Sequence, residues 1–332
     1  MSKLYDIFNF ISYAYKRNNW IFDLSRYIKD FQNVQVKKPI FFLGTHGGGL
    51  TLVSRMIRRN KKIVSVSGNY KYWSGADEMQ VVLGSILPFE LSGIKHHVPN
   101  FENYKFPFMK TEMTWLYATN ELLKYYRKDE EDFTDKVSEL FNNIIKWLIY
   151  RHSKGEQGIR FTDKSQVYTV KVSYINKLLT GSDPKFILIT RNPYAMCYRA
   201  PYKEGGLKKI LGNFSFEDKL ELAAQHWANS INCALDDKEK VDNFLTIRFE
   251  DILTNPEKKL KEICDFIELD YNDDMIPQAH HNIPFGSRYF KKWYPLKPSI
   301  NNKYFNNIQK SHIDIINKYC ADLVDKFDYN YK

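Results

Sequence analysis

The chain has 332 residues, 43% hydrophobic and 16% aromatic, enough to bury a substantial core in one large domain or two modest ones and to exclude disorder as the default. Its 49 Lys plus Arg against 39 Asp plus Glu leave a net charge of +10, which biases it toward anionic ligands such as a nucleotide, a polyanionic glycan, nucleic acid or a membrane surface. Cys197, Cys233, Cys264 and Cys320 make no CxxC pair, which points away from a zinc site or a disulfide framework and toward a reducing, cytoplasmic setting.

The N-terminal stretch "MSKLYDIFNFISYAYKRNNW" is interrupted by Lys3, Asp6, Lys16 and Arg17, so it offers no signal core and no transmembrane segment, and a soluble protein is expected. "KKPIFFLG" then predicts a buried strand, residues 51–59 a helix, and "KIVSVSG" a second strand, together one βαβ unit. From Tyr104 to Arg151 the pattern is helical, with Leu116, Leu122, Leu123, Phe141, Ile144, Ile145 and Leu148 at three- and four-residue steps. "GIRFTDKS" reads as a strand entering a turn, residues 168–180 as a helix, and "DPKFILITRNP" as a very apolar strand closed by Asn-Pro. A helix over 217–235 precedes "NFLTIRFEDI". In "NPEKKLKEICDFIEL", Asn255 is placed as an N-cap with Pro256 at the first helical position. The Pro-rich, aromatic stretch 284–298 is the one long irregular segment, and a helix over about 303–327 closes the chain. Strands alternating with helices predict an α/β fold, a doubly wound parallel sheet flanked by helices. No repeat or linker divides residues 1–332, so one domain is expected.

Two stretches carry chemistry. In "GTHGGGLT", residues 44–51, Gly44, Gly49 and Thr51 fit the GxxxxGK[ST] phosphate loop, but Leu50 occupies the lysine position. A strand feeding a helix through such a turn aims the amides of Thr45, His46, Gly47, Gly48, Gly49, Leu50 and Thr51, and the positive end of the helix dipole, at one anion. The bland alternative is a glycine turn kept for packing. In "KFILITRNPYAMCYRA", Arg191 ends a strand at the carboxyl edge of the sheet, where open α/β folds bind ligands, and a guanidinium suits forked hydrogen bonding to phosphate. Asn192-Pro193 starts a helix that carries Arg199. Alone, an arginine after a strand is more often a salt-bridge partner.

In combination these stretches resemble the sulfotransferases that take a sulfuryl group from 3'-phosphoadenosine 5'-phosphosulfate (PAPS). Two further segments share the resemblance: "FTDKS" is similar to the Glu/Asp-Lys-Thr/Ser segment of that family, and "TIRFEDILTNPEKKLKEICDFIEL" to its Arg-Tyr/Phe-Glu-Asp-Leu stretch, which is mainly structural. The resemblance runs from about residue 38 to 332. It implies a P-loop NTPase-like three-layer sulfotransferase fold with residues 37–68 as the phosphosulfate-binding βαβ unit. Residues 69–155 become a helical acceptor-side insertion, and 156–332 the 3'-phosphate-binding half with a C-terminal cap. It implies PAPS as donor, adenosine 3',5'-bisphosphate as product, no metal, and Arg191 as a 3'-phosphate ligand. The chain departs from the family twice. Gly47 stands where the loop usually has Lys or Arg, and Arg199 stands eight residues after Arg191, where the 3'-phosphate serine usually lies.

Sulfuryl transfer needs a stabiliser of the leaving phosphate, a proton acceptor and a nucleotide anchor. The loop amides, helped by His46 or Lys164, are candidates for the first role. Asp77 and Glu78 in "SVSGNYKYWSGADEMQ" are candidates for the second, although an acidic pair starting a helix is equally expected there. His226, beside Trp227, reads as a packed core histidine. Arg288 and Lys292 are further candidates for the 3'-phosphate, with Trp293 over the adenine or acceptor. The expected acceptor is a hydroxyl of a sugar or polysaccharide, because aromatic faces stack on sugars and a basic surface tolerates acidic chains. A P-loop NTPase or small-molecule kinase, and a non-catalytic anion- or glycan-binding relative, are the competing readings. Nucleic-acid binding has only net charge behind it, and the oligomeric state is not specified.

Overall fold

The structure is a computed structural model that describes residues 11, 21, 29–70, 77–84, 86–92, 116–153, 156–202, 214–281 and 295–331. Ile40–Leu43 form strand β1, Ile63–Ser65 β2, Gly68–Asn69 β3, Arg160–Asp163 β4, Lys185–Thr190 β5 and Phe244–Arg248 β6. They make one six-stranded sheet in the order β3-β2-β4-β1-β5-β6. Every pairing is parallel except β2 with β3. The chain starts in the middle and winds outward in both directions, as the alternation of strands and helices predicts. "KIVSVSG", expected as one strand, is instead a short antiparallel hairpin: Gly68 has φ 126° and turns the chain back on itself at the sheet margin.

Alternation within each strand sends side chains to two separate cores. From β1 and β5, Phe41, Leu43, Phe186 and Leu188 enter one apolar cluster, and Ile40, Phe42, Ile187 and Ile189 the other. A strand buried on both faces has to read as an unbroken apolar run, and "PIFFLG" and "FILIT" do so. Phe41 stacks on Phe186, its direct partner in the β1–β5 register, with ring centroids 5.6 Å apart.

Helix α1 (Leu50–Ile57) follows β1; α2 (Asp135–Ser153) covers β2 and the edge of the sheet; and α3 (Val172–Leu178), α4 (Pro193–Arg199) and α5 (Phe216–Lys238) follow in order. A six-residue helix, Phe249–Thr254, runs into α6 (Pro256–Phe266) after Asn255, and α7 (Lys310–Lys326) packs on α4 and α5. The helix expected over 168–180 divides into a 3-10 turn, Gln166–Val170, and α3. The helix expected over 303–327 divides into Asn302–Phe305 and α7. Helical structure over 116–153 is confined to Leu123–Tyr126, the 3-10 turn Glu130–Asp132 and α2, and residues 104–115 lie outside the described residues. Among the described residues no helix is long and apolar enough to cross a membrane.

Candidate functional site

Because β4, β1 and β5 are parallel neighbours, their carboxyl ends open side by side. The loop after β1 therefore lies between Asp163-Lys164 on one flank and Arg191 on the other. Thr169 fixes its start: the Gly44 amide donates to Thr169 Oγ1 at 2.8 Å, and that hydroxyl donates back to the Gly44 carbonyl at 3.0 Å. The Gly48 amide closes a turn onto the Thr45 carbonyl at 2.9 Å. Gly49 is the N-cap of α1 with φ 98° and no side-chain cap, and no acidic residue lies in the first turn. A Cβ at Gly49 would sit 2.3 Å from the Phe249 ring, so only glycine lets the loop lie against Phe249. The result is a helix N-terminus with no acid in its own first turn and no side-chain cap, an arrangement suited to an anion.

Arg191 is buried and grips the loop from the β5 side. Its Nη1 donates to the Gly47 carbonyl at 2.8 Å, Nε and Nη2 donate to Asn301 Oδ1 at 3.3 and 2.7 Å, and its guanidinium lies 5.2 Å over Phe249. Asn301 Nδ2 donates at 2.7 Å to Glu250 Oε1, which also receives the Asn192 amide at 3.0 Å. Asn192 Oδ1 accepts the amides of Tyr194 and Ala195, and Pro193 opens α4. Thr45 Oγ1 donates to Met196 Sδ of that helix at 3.1 Å.

On the other flank, Asp77 is buried among three cations. Its Oδ2 accepts from Arg55 Nε at 2.8 Å and Arg58 Nη1 at 3.4 Å, and its Oδ1 lies 3.1 Å from Lys164 Nζ. Lys164 also donates to Glu78 Oε1. Burial would raise the Asp77 carboxyl, but Arg55, Lys164 and Arg58 hold it well below the usual carboxylate range. Burial likewise disfavours the Lys164 ammonium, yet the Asp77 and Glu78 carboxylates keep its pKa above that of a free lysine. Asp77 and Lys164 are thus a buried, fully ionised pair, each 3% exposed at the side chain, while Glu78 is 19% exposed. Asp163 accepts the amides of Met79 at 2.8 Å and Ser165 at 2.7 Å. Burial pushes its carboxyl up to about 6 against those hydrogen bonds.

A model of the sulfotransferase family matches residues 39–273, well over half of the chain. The chain belongs to the sulfotransferase family. It is similar in fold to the sulfotransferase domain from the curacin biosynthetic pathway, at 16% identity and TM-score 0.51, with 90% of this chain and 99% of that one covered. It is also similar to the sulfotransferase STF9 from Mycobacterium avium, at 13% identity and TM-score 0.52, with 92% and 81% covered. No curated protein matches it in sequence.

In this sulfotransferase the residues expected from the sequence fall into two groups. Thr45 to Thr51, Arg191 and Arg199 gather around the loop, and Lys164, Asp77 and Glu78 form one ion-paired cluster beside it. His46 is half-buried within the loop. Arg288, Lys292 and Trp293 lie outside the described residues. His226 is a core histidine, as its setting beside Trp227 suggests: Nδ1 accepts the Ala118 amide at 3.3 Å, the ring meets Tyr117 edge-on at 4.6 Å, and burial pushes its pKa down to about 3. Asp274, His280 and His281 also converge, but Arg59 Nη2 already lies 3.4 Å from Asp274 Oδ2.

Sequence reasoning missed Thr169, Asn301, Glu250 as a brace, and Arg55 and Arg58. The two arginines had a signal: Arg55 stands among apolar residues of α1 and Arg58 caps its end, and a charge beside an apolar helix face that is buried demands a partner. Thr169 and Asn301 had none, because Thr169 meets Gly44 and Asn301 meets Arg191 only through tertiary folding.

Proposed function

We propose that this sulfotransferase transfers the sulfuryl group of PAPS to an acceptor hydroxyl on a carbohydrate. The observation that carries the donor assignment is the uncapped, acid-free N-terminus of α1, bordered by Arg191 and Arg199. Amides of the loop from Thr45 to Thr51 are assigned to the 5'-phosphosulfate, and Arg191 to the 3'-phosphate, where it sits at the sheet edge already oriented by Asn301. When bound, PAPS supplies the sulfuryl group and leaves as adenosine 3',5'-bisphosphate. Arg288 and Lys292 remain candidates for the same nucleotide, and no metal is invoked.

Lys164, held protonated, supplies positive charge at the leaving-group side, with His46 as the second candidate for that role. Glu78 is the better proton acceptor of the acidic pair, because Asp77 spends its charge on Arg55, Arg58 and Lys164. The acceptor hydroxyl would give its proton to the Glu78 carboxylate as its oxygen forms the bond to sulfur. The carbohydrate assignment rests on the +10 charge and 16% aromatic content.

Calorimetric titration and a transfer assay test the reading. Adenosine 3',5'-bisphosphate is expected to bind more tightly than ATP, and radiolabelled sulfate is expected to move from PAPS to a panel containing mono- and polysaccharides. Preference for ATP would favour the kinase reading, for which Leu50 in the lysine position is the adverse feature. Transfer to a lipid or phenol but no sugar would overturn only the acceptor.

A further inference from the structure

Gly47 is the loop position on which the two arginines converge. Its φ of 87° belongs to the left-handed region, so a side chain there would be strained. The atom nearest to where its Cβ would stand is Arg199 Nη1, at 3.6 Å, followed by Met196 Cγ at 3.7 Å. Met196 and Arg199 are three residues apart on α4 and therefore share a face. That face is aimed by the Asn192 cap, by Pro193 and by the Thr45 to Met196 hydrogen bond. Arg191 meanwhile holds the Gly47 carbonyl. Among the described residues Arg199 has no hydrogen bond or ion pair. Both arginines thus meet Gly47 beside the positive end of α1, which has no acid in its first turn, a setting that favours an anion.

We propose that Arg199 is a ligand of the 5'-phosphosulfate end of the nucleotide rather than of its 3'-phosphate, delivering from α4 the cation that the loop cannot carry at Gly47. This rests on the nucleotide reading above. The family resemblance puts Arg199 at the position of the 3'-phosphate serine, which implies that both arginines share one phosphate, but the fold separates their tasks. Arg191 braces the Gly47 carbonyl from the β5 side, while Arg199 lies over the α-carbon of the same glycine.

Calorimetric titration of the full chain and of Arg199→Ala with three nucleotides decides the point. Adenosine 3',5'-bisphosphate and adenosine 5'-monophosphate should each lose about 10- to 100-fold in affinity, the scale of one charged hydrogen-bonding partner. Adenosine 3'-monophosphate should change by less than about twofold, since it lacks the group at stake. Arg199→Lys should recover part of the 5'-monophosphate affinity, and unaltered thermal melting of both variants shows that the fold is kept. Loss confined to the two nucleotides that carry a 3'-phosphate, equal loss for all three, or no loss would each overturn the assignment. A wild-type chain that binds none of the three would overturn the nucleotide reading itself, and this assignment with it.

Discussion

Asp77 and Glu78 are adjacent in sequence and nearly opposite in physical role. Asp77 faces three cations in a space that admits almost no water, whereas Glu78 pairs with Lys164 and keeps some exposure. Asp77→Asn removes the buried carboxylate that Arg55, Arg58 and Lys164 share, and leaves Lys164 to its pair with Glu78. Removing one partner of a buried ion pair costs about 3–5 kcal/mol, so urea denaturation should show that loss as a lowered midpoint at unchanged slope. Glu78→Gln tests the chemistry instead. It should lower kcat by about 10²- to 10⁴-fold, the contribution of a positioned base, while affinity for adenosine 3',5'-bisphosphate stays the same. Full turnover in Glu78→Gln would remove it from the mechanism. The acidic pair and Lys164 were legible in the sequence as candidates; that they meet Arg55 of α1 and Arg58 at its end was not, because α1 and the end of β4 are far apart along the chain.

At the scale of elements, the site depends on how β1, α1 and the helix after β6 meet. Gly49 is the contact point, with its α-carbon against Phe249. Gly49→Ala combines a left-handed backbone with a ring clash at 2.3 Å, and these two kinds of strain together cost about 2–5 kcal/mol. A lowered melting temperature and weaker binding of adenosine 3',5'-bisphosphate are expected together, and Phe249→Leu in the same chain should restore part of both. An unchanged melt would show that the loop moves aside without cost. The glycines and the strand-to-helix junction announce themselves locally, through the apolar run and the breakers that follow it. Their partner does not: the stretch "TIRFEDIL" reads as structural, and it is Glu250 that joins Asn192 to Asn301 and so aims Arg191.

Across the whole molecule, burial of charge gives folding a pH dependence. Lys171 is fully buried, donates to the Glu90 carbonyl at 2.7 Å and lies 5.7 Å over the Phe89 ring. Burial pushes its pKa down to about 7 from the usual 10.5. The unfolded chain therefore binds one more proton than the folded chain between those values, and stability rises with pH across that window, by at most about 1.4 kcal/mol per pH unit. The contribution is complete above the unfolded value and is lost as pH falls through about 7. Denaturation midpoints measured from pH 7 to 9.5 should rise in the wild type, and the rise should flatten in Lys171→Met. A parallel rise in both would assign the effect to other groups.

The amino-acid order by itself determined the parallel α/β architecture, the anion-binding turn at the end of β1 and the arginine at the end of β5. Those features follow from local periodicity and from residues whose backbone preferences are strong. Tertiary structure alone decided which charges are neutralised and which remain available. It placed Arg199 over Gly47, enclosed Asp77 among Arg55, Arg58 and Lys164, and bound Gly44 to Thr169. The cost of a buried charge depends on its three-dimensional neighbours, and no spacing along one strand or helix encodes residues that meet only when the sheet closes.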